Sequence, residues 1–171
     1  LLAGVKGKKG VLCLLTDTID REVLEAADEA KIFANYAVGY NNIDVREATR
    51  LGILVTNTPG VLTETTADLT WALILATARR IAEADRYTRE GRFEGWGPML
   101  MLGADVSGKT LGIAGAGRIG TAVGRRAAGF DMRILYMDPS PNETLDAMGA
   151  RRVDFEALLA EYAAAEATPP E

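Results

Sequence analysis

The residues Gly115-Ala116-Gly117-Arg118-Ile119-Gly120 match G-x-G-x-x-G, a spacing suited to holding a diphosphate. The three glycines answer different demands. Gly115 permits a tight turn, Gly117 lets backbone approach a pyrophosphate because it has no Cβ, and Gly120 lets a helix pack closely on a strand. The amides of Arg118 and Ile119 then stand at a helix N-terminus, where free N–H groups and the helix dipole favour an anion. Asp138 lies 18 residues beyond Gly120, at the end of the next apolar run. A carboxylate there accepts hydrogen bonds from the hydroxyls of an adenosine ribose and repels a 2′-phosphate. No basic residue occurs in Pro139-Ser140-Pro141-Asn142, so the motif favours NAD over NADP. Glycines alone also make ordinary turns; the apolar strand before them and the strand ending in Asp138 turn the match into a dinucleotide fingerprint.

Other chemistries are excluded by composition. The 171 residues contain no histidine, so they hold no Ser-His-Asp or Cys-His arrangement, no histidine metal ligand and no histidine general acid. No catalytic residue and no metal site are assigned. Cys13 sits in an apolar run and reads as a small buried hydrophobe rather than a nucleophile. One cysteine makes no internal disulfide, which points to a reducing cytoplasm. A net charge of -5 argues against nucleic acid as a partner. The apolar stretch 69–78 is too short to span a bilayer, so no membrane association is expected.

The elements that must position the glycine motif alternate. Val11-Leu12-Cys13-Leu14-Leu15 is a continuous apolar run, which predicts a strand buried on both faces. A helix follows over 20–30 with Val23, Leu24 and Ala27 on one face, then a strand at Ile32-Phe33-Ala34-Asn35-Tyr36. A short helix runs from Val45 towards Gly52, a suitable residue just past a helix end, and Ile53-Leu54-Val55 is a third strand. This β-α-β-α-β order implies a parallel sheet. Thr65-Thr66-Ala67-Asp68 has the pattern of a helix start before a long helix that is apolar nearly all round, grading into a charged stretch over 79–92. Gly95-Trp96-Gly97-Pro98 breaks the pattern, and the domain boundary is placed there. The second part has a strand at Leu111-Gly112-Ile113-Ala114, then a helix with Ile119, Ala122, Val123, Ala127 and Phe130 turned inward. A strand at Arg133-Ile134-Leu135-Tyr136-Met137 follows, then a short helix over 143–148. Val153 is read as opening a further strand and Asp154 as capping a last helix through Leu158 and Leu159. The tail over 162–171 is rich in alanine and proline and offers no apolar strand.

Several motifs recur in a fixed order: Asn35-Tyr36-Ala37-Val38-Gly39-Tyr40-Asn41-Asn42-Ile43-Asp44, then Asn57-Thr58-Pro59-Gly60-Val61-Leu62-Thr63-Glu64-Thr65-Thr66-Ala67-Asp68, then Gly108-Lys109-Thr110-Leu111-Gly112-Ile113 leading into the glycine motif. Together they resemble the D-isomer-specific 2-hydroxyacid dehydrogenases, most closely the glyoxylate and hydroxypyruvate reductase branch, over residues 12–159. The resemblance implies an α/β fold. Residues 1–98 would be a flavodoxin-like substrate domain, incomplete, ending with a long dimerisation helix. Residues 99–171 would be the first half of a Rossmann NAD-binding domain.

The resemblance also implies roles. The loop matching Val38 and Gly39 presents backbone amides to the substrate carboxylate, although a tight turn after a strand accounts for the same residues. The residue matching Thr66 lies near the cofactor between the domains, with a helix cap as the plainer reading. Trp96 is similar to an aromatic of the dimer arm, with core packing as the plainer reading. The implied reaction is NADH-dependent reduction of a small 2-oxo acid such as glyoxylate or hydroxypyruvate, or the reverse oxidation of the 2-hydroxy acid. It is carried out by a homodimer joined through the helix over 66–80. The family's proton-moving histidine, the carboxylate that holds it and its substrate-binding arginine have no matching residues here. Arg79, Arg80 and Glu64 are not assigned to those roles. The chain therefore reads as a fragment, inactive alone. The alternative is a non-catalytic NAD-binding or regulatory module.

Overall fold

The computed structural model describes the backbone of residues 1–166 and side chains through Glu161. The part of the alanine- and proline-rich tail from Ala167 onward lies outside the described residues. The chain divides into two compact units, Leu1–Leu62 and Thr63–Glu171.

In the first unit, helix α1 (Leu2–Val5) precedes strand β1 (Gly10–Cys13), helix α2 (Arg21–Ala26), strand β2 (Ile32–Asn35), helix α3 (Val45–Arg50) and strand β3 (Leu54–Thr56). The three strands form a parallel sheet in the order β1-β2-β3, with Val11 beside Phe33 and Phe33 beside Val55. Both longer helices start on aspartate caps: Asp20 accepts the Val23 amide and Asp44 the Glu47 amide. Val23, Leu24 and Ala27 turn inward as their spacing predicts, and Gly52 takes the positive φ that ends α3.

The expectation of a strand buried on both faces is corrected. Side chains alternate along a strand, and only one face of this sheet is covered. Cys13 and Phe33 are buried in the core beside Val23, Leu24 and Ala48, whereas Leu12 is 74% and Leu54 66% exposed. Leu14 and Leu15, past the end of β1, are exposed as well. Burial also pushes the Cys13 thiol up from its ordinary pKa, with the charge of Asp17 adding to the shift.

The second unit opens with helix α4 (Thr63–Ala78) and helix α5 (Ile81–Arg89). They are two helices rather than one graded stretch, because Arg80 adopts a left-handed backbone, φ 55°, between them. Backbone packs tightly at this break: Ala104 N–H donates to Ala78 O, and a Cβ on Gly103 would fall 2.2 Å from that oxygen. Strand β4 (Thr110–Ala114), helix α6 (Arg118–Ala127), strand β5 (Arg133–Met137), helix α7 (Glu143–Ala147), strand β6 (Arg151–Arg152) and helix α8 (Phe155–Glu166) follow. These strands form a second parallel sheet, ordered β4-β5-β6. Ile113, Ile134 and Tyr136 share a core with Ala122, Val123 and Ala127 of α6. Leu158 of α8 lies against Gly112, and Asp154 caps that helix through the Ala157 amide. Helices thus cover both faces, and Ile134, Leu135 and Tyr136 of β5 are all buried.

Helix α4 packs within this second unit. The physical reason is Trp71. Its indole N–H donates to Val123 O at 3.0 Å, and its ring stacks on Phe130 at 4.6 Å between centroids. Ala67 is buried beside it in the core of the second unit. The helix is not buried all round, since Leu69 and Leu73 are exposed. One further expectation differs from the structure: Ile119 is exposed rather than inward; of the two readings of Trp96, core packing does not hold, since its side chain is 84% exposed.

Candidate functional site

The glycine turn joins β4 to α6. Gly115 has φ 97°, a conformation that glycine adopts without strain, and its N–H donates to Met137 O, tying the turn to the end of β5. Gly117 is the N-cap of α6 and makes no side-chain cap. A Cβ built on Gly117 meets nothing within 4 Å, so this side of the turn is open. A Cβ on Gly120 would fall 2.2 Å from Gly115 O and 3.2 Å from Ile113 Cγ2, so here the helix touches the turn and the strand. Among the described residues, the amides of Gly117, Arg118 and Ile119 donate to no protein group. These are the orphan donors of a helix start. An open, donor-lined turn of this form fits the diphosphate of a dinucleotide.

Asp138 is held beside that turn. Its Oδ2 accepts the Ala116 amide at 2.9 Å, and its Oδ1 accepts the Ser140 amide at 3.1 Å. Each oxygen keeps acceptor capacity for a ribose hydroxyl. An open cleft lined by Met137, Asp138, Pro139, Arg152, Val153 and Phe155 runs alongside. Sequence reasoning missed Arg152. The local stretch after Asp138 carries no cation, yet the fold brings this guanidinium to the same loop, donating to Asp138 O at 3.0 Å and Pro139 O at 2.6 Å. It also missed Asn142, whose only local signal is its place just before Glu143, suited to a helix cap.

The structure therefore gathers Gly115, Gly117, Arg118, Ile119, Gly120 and Asp138 around one turn. Thr66 stands elsewhere in this unit. It lies inside α4, three residues past its start, so it is not the cap; its carbonyl accepts the Thr70 hydroxyl. Its neighbours Glu64 and Asp68 pair with Arg125 and Arg126 in the last turn of α6, whereas the glycine turn opens that helix.

Val38 and Gly39 are exposed in the loop after β2 of the first unit. Their carbonyls are tied down: Val38 O accepts the Asn57 amide and Gly39 O the Asn35 amide, each at 2.8 Å. Asn35 is 2% exposed and also bonds Asn42, which reaches Leu14 O and Asp17 O. The amides of Val38 and Gly39 donate to no protein group among the described residues. Neighbouring backbone amides of this kind can donate to an anion without adding a titrating group. Asn35, Asn42 and Asn57 were visible in the motifs, but their partners were not. No cluster of residues able to hold a metal ion occurs among the described residues, and no helix there is long and apolar enough to cross a membrane.

Residues 71–164 match the family described as "D-isomer specific 2-hydroxyacid dehydrogenase, NAD binding domain". The chain is 58% identical over 163 residues to a glyoxylate reductase of Korarchaeum cryptofilum, covering 94% of this chain and 49% of that protein. It is 52% identical over 166 residues to a glyoxylate reductase of Thermococcus litoralis, covering 94% of this chain and 50% of that protein. Among solved structures, the TT0316 protein of Thermus thermophilus superposes with a TM-score of 0.88 at 45% identity, over 92% of this chain and 50% of that one. The chain spans about half the length of the curated relatives it matches.

Proposed function

The chain belongs to the D-isomer specific 2-hydroxyacid dehydrogenases, and on that premise we propose that it binds NAD and serves the reduction of a small 2-oxo acid, glyoxylate or hydroxypyruvate. The observation that carries this reading is the glycine turn beside Asp138, with three amides that have no partner among the described residues. Gly117, Arg118 and Ile119 hold the diphosphate through backbone N–H groups, and the bare Cα of Gly117 lets it come close. Asp138 takes the ribose hydroxyls and turns away a 2′-phosphate. Bound NAD supplies the hydride acceptor, or as NADH the donor. Thr66 serves the same cofactor from α4. The Val38 and Gly39 amides bind the substrate carboxylate, and Asn57 and Asn35 keep their carbonyls out of its way. With no histidine in these residues, their part is to bind and orient. The exposed Leu69 and Leu73 of α4 support a homodimer formed through the helix over 66–80. A single buried thiol supports a reducing cytoplasm.

Calorimetric titration of this chain with NAD and with NADP tests the cofactor reading; NAD binds and NADP binds more weakly. Fusing this chain to the second half of the Korarchaeum glyoxylate reductase tests the reaction. The fusion oxidises NADH with glyoxylate, and this chain alone does not. A fusion that folds, binds NADH and reduces neither oxo acid overturns the substrate assignment.

A further inference from the structure

We propose that Asn142 is a positioning residue of the dinucleotide site, aiming the amides of Gly117 and Arg118 at the diphosphate; the inference rests on the NAD reading above. As the cap of α7, Asn142 needs only its Oδ1, which accepts the Leu145 amide at 3.0 Å. Aspartate or serine would cap as well. Its Nδ2 does something else. It donates to Ala116 O in the glycine turn at 2.7 Å and to Thr121 Oγ1 in the first turn of α6 at 2.7 Å, both 21 or more residues away.

The consequence follows from peptide geometry. In a planar trans peptide the C=O and N–H point in opposite directions. Holding Ala116 O towards Asn142 therefore turns the Gly117 N–H to the opposite side. Thr121 extends the constraint by one peptide: its hydroxyl donates to Gly117 O at 2.7 Å, beside its own N–H at 2.9 Å, and the two bonds together fix the direction of the Arg118 N–H. A turn with glycine at 115 and 117 has little stiffness of its own, so this orientation needs a tether from outside.

Asn142 is itself held. Its N–H donates to the Tyr136 hydroxyl at 2.9 Å, and that hydroxyl donates to Asp146 at 2.7 Å. Asp138, four residues earlier on the same loop, grips the N–H of Ala116. One loop thus holds Ala116 at both its N–H and its C=O, and joins the ribose side of the site to the diphosphate side.

The test separates capping from aiming. Asn142→Asp keeps the cap oxygen and adds a charge favourable at the start of α7, but sets an oxygen against Ala116 O and offers the Thr121 hydroxyl an acceptor that competes with Gly117 O. Asn142→Ala removes both roles. Thermal unfolding, amide exchange by NMR in the free chain, and calorimetric affinity for NAD and AMP are measured on the 171-residue chain and both variants. We expect Asn142→Asp to retain more of the wild-type Tm than Asn142→Ala. We expect it nonetheless to speed exchange at the Ala116 and Thr121 amides at least tenfold and to weaken NAD and AMP at least tenfold. Unchanged exchange at both amides in Asn142→Asp overturns the proposal, as does NAD affinity that tracks Tm across the variants. A wild-type chain that binds no NAD, together with faster exchange in Asn142→Asp, leaves the tether standing and removes the cofactor reading.

Discussion

Gly117 and Gly120 sit three residues apart in one turn, yet a methyl group has opposite consequences at the two sites. At Gly117 the backbone is φ -72°, ψ -161°, open to any residue, and the added Cβ meets nothing. Gly117→Ala should leave stability within about 0.5 kcal/mol of wild type. It should weaken NAD at least tenfold, about 1.4 kcal/mol, because the methyl group occupies the diphosphate's approach. At Gly120 the Cβ strikes a backbone oxygen. Gly120→Ala should cost about 1–3 kcal/mol of stability, as overpacking does, read as a lower urea midpoint without ligand. Equal effects of the two variants on Tm would contradict this division. Asp138→Asn should weaken NAD and narrow the preference over NADP, since it removes the charge that repels a 2′-phosphate while Arg152 remains on the loop. Titration with both dinucleotides reads this directly.

At the level of elements, α4 is joined to α6 by Trp71 and by the charges at its start. Trp71→Ala should cost about 3–5 kcal/mol, the usual range for emptying a large aromatic site. Trp71→Phe should cost about 1 kcal/mol for the lost bond to Val123 O, both measured by urea unfolding. Acid should act on α3 through Glu47. The hydrogen bond from Arg50 holds its carboxyl below the ordinary value, against some desolvation, with the charges of Arg50 and Arg21 helping. A lowered folded-state pKa stabilises above the unfolded value, about 4.3 for glutamate, and that contribution is lost as pH falls through the lowered value. Glu47→Gln should therefore flatten the acid limb of the stability curve below about pH 4.3, read by thermal unfolding across pH.

Considered as a whole molecule, the chain exposes leucines on two surfaces. Leu12 and Leu54 lie on the uncovered face of the first sheet, and Leu69 and Leu73 lie on α4. Exposed apolar surface of this kind drives association. Sedimentation velocity should show concentration-dependent assembly of this chain. Leu69→Glu with Leu73→Glu should reduce it if α4 is the route, and Leu12→Lys if the sheet face is. A monodisperse monomer at all concentrations would contradict both. On the proposed NAD reading, the groups gathered at the glycine turn serve the adenosine half of the dinucleotide. AMP should therefore bind this chain more tightly than nicotinamide mononucleotide, by calorimetry.

The order of strands and helices, the glycine turn and the carboxylate of Asp138 were legible in the sequence because each depends on local chemistry. Periodic apolar residues mark the elements, aspartate caps mark three of the helix starts, and glycine marks backbone that a Cβ would block. What lies on each face was not legible. The run at Val11 reads as doubly buried, yet burial depends on which elements come to rest against a strand, and here one face is bare. The placement of α4 in the second unit was equally hidden, since it rests on Trp71 meeting a carbonyl and a ring far along the chain. Asn35, Asn57, Asn142 and Arg152 show the same limit at the site. An asparagine or arginine declares its donors in the sequence, but each of these meets at least one backbone carbonyl, a group every residue carries alike. Which carbonyl is met is a matter of proximity in three dimensions, and that is decided only when the sheets and helices have packed.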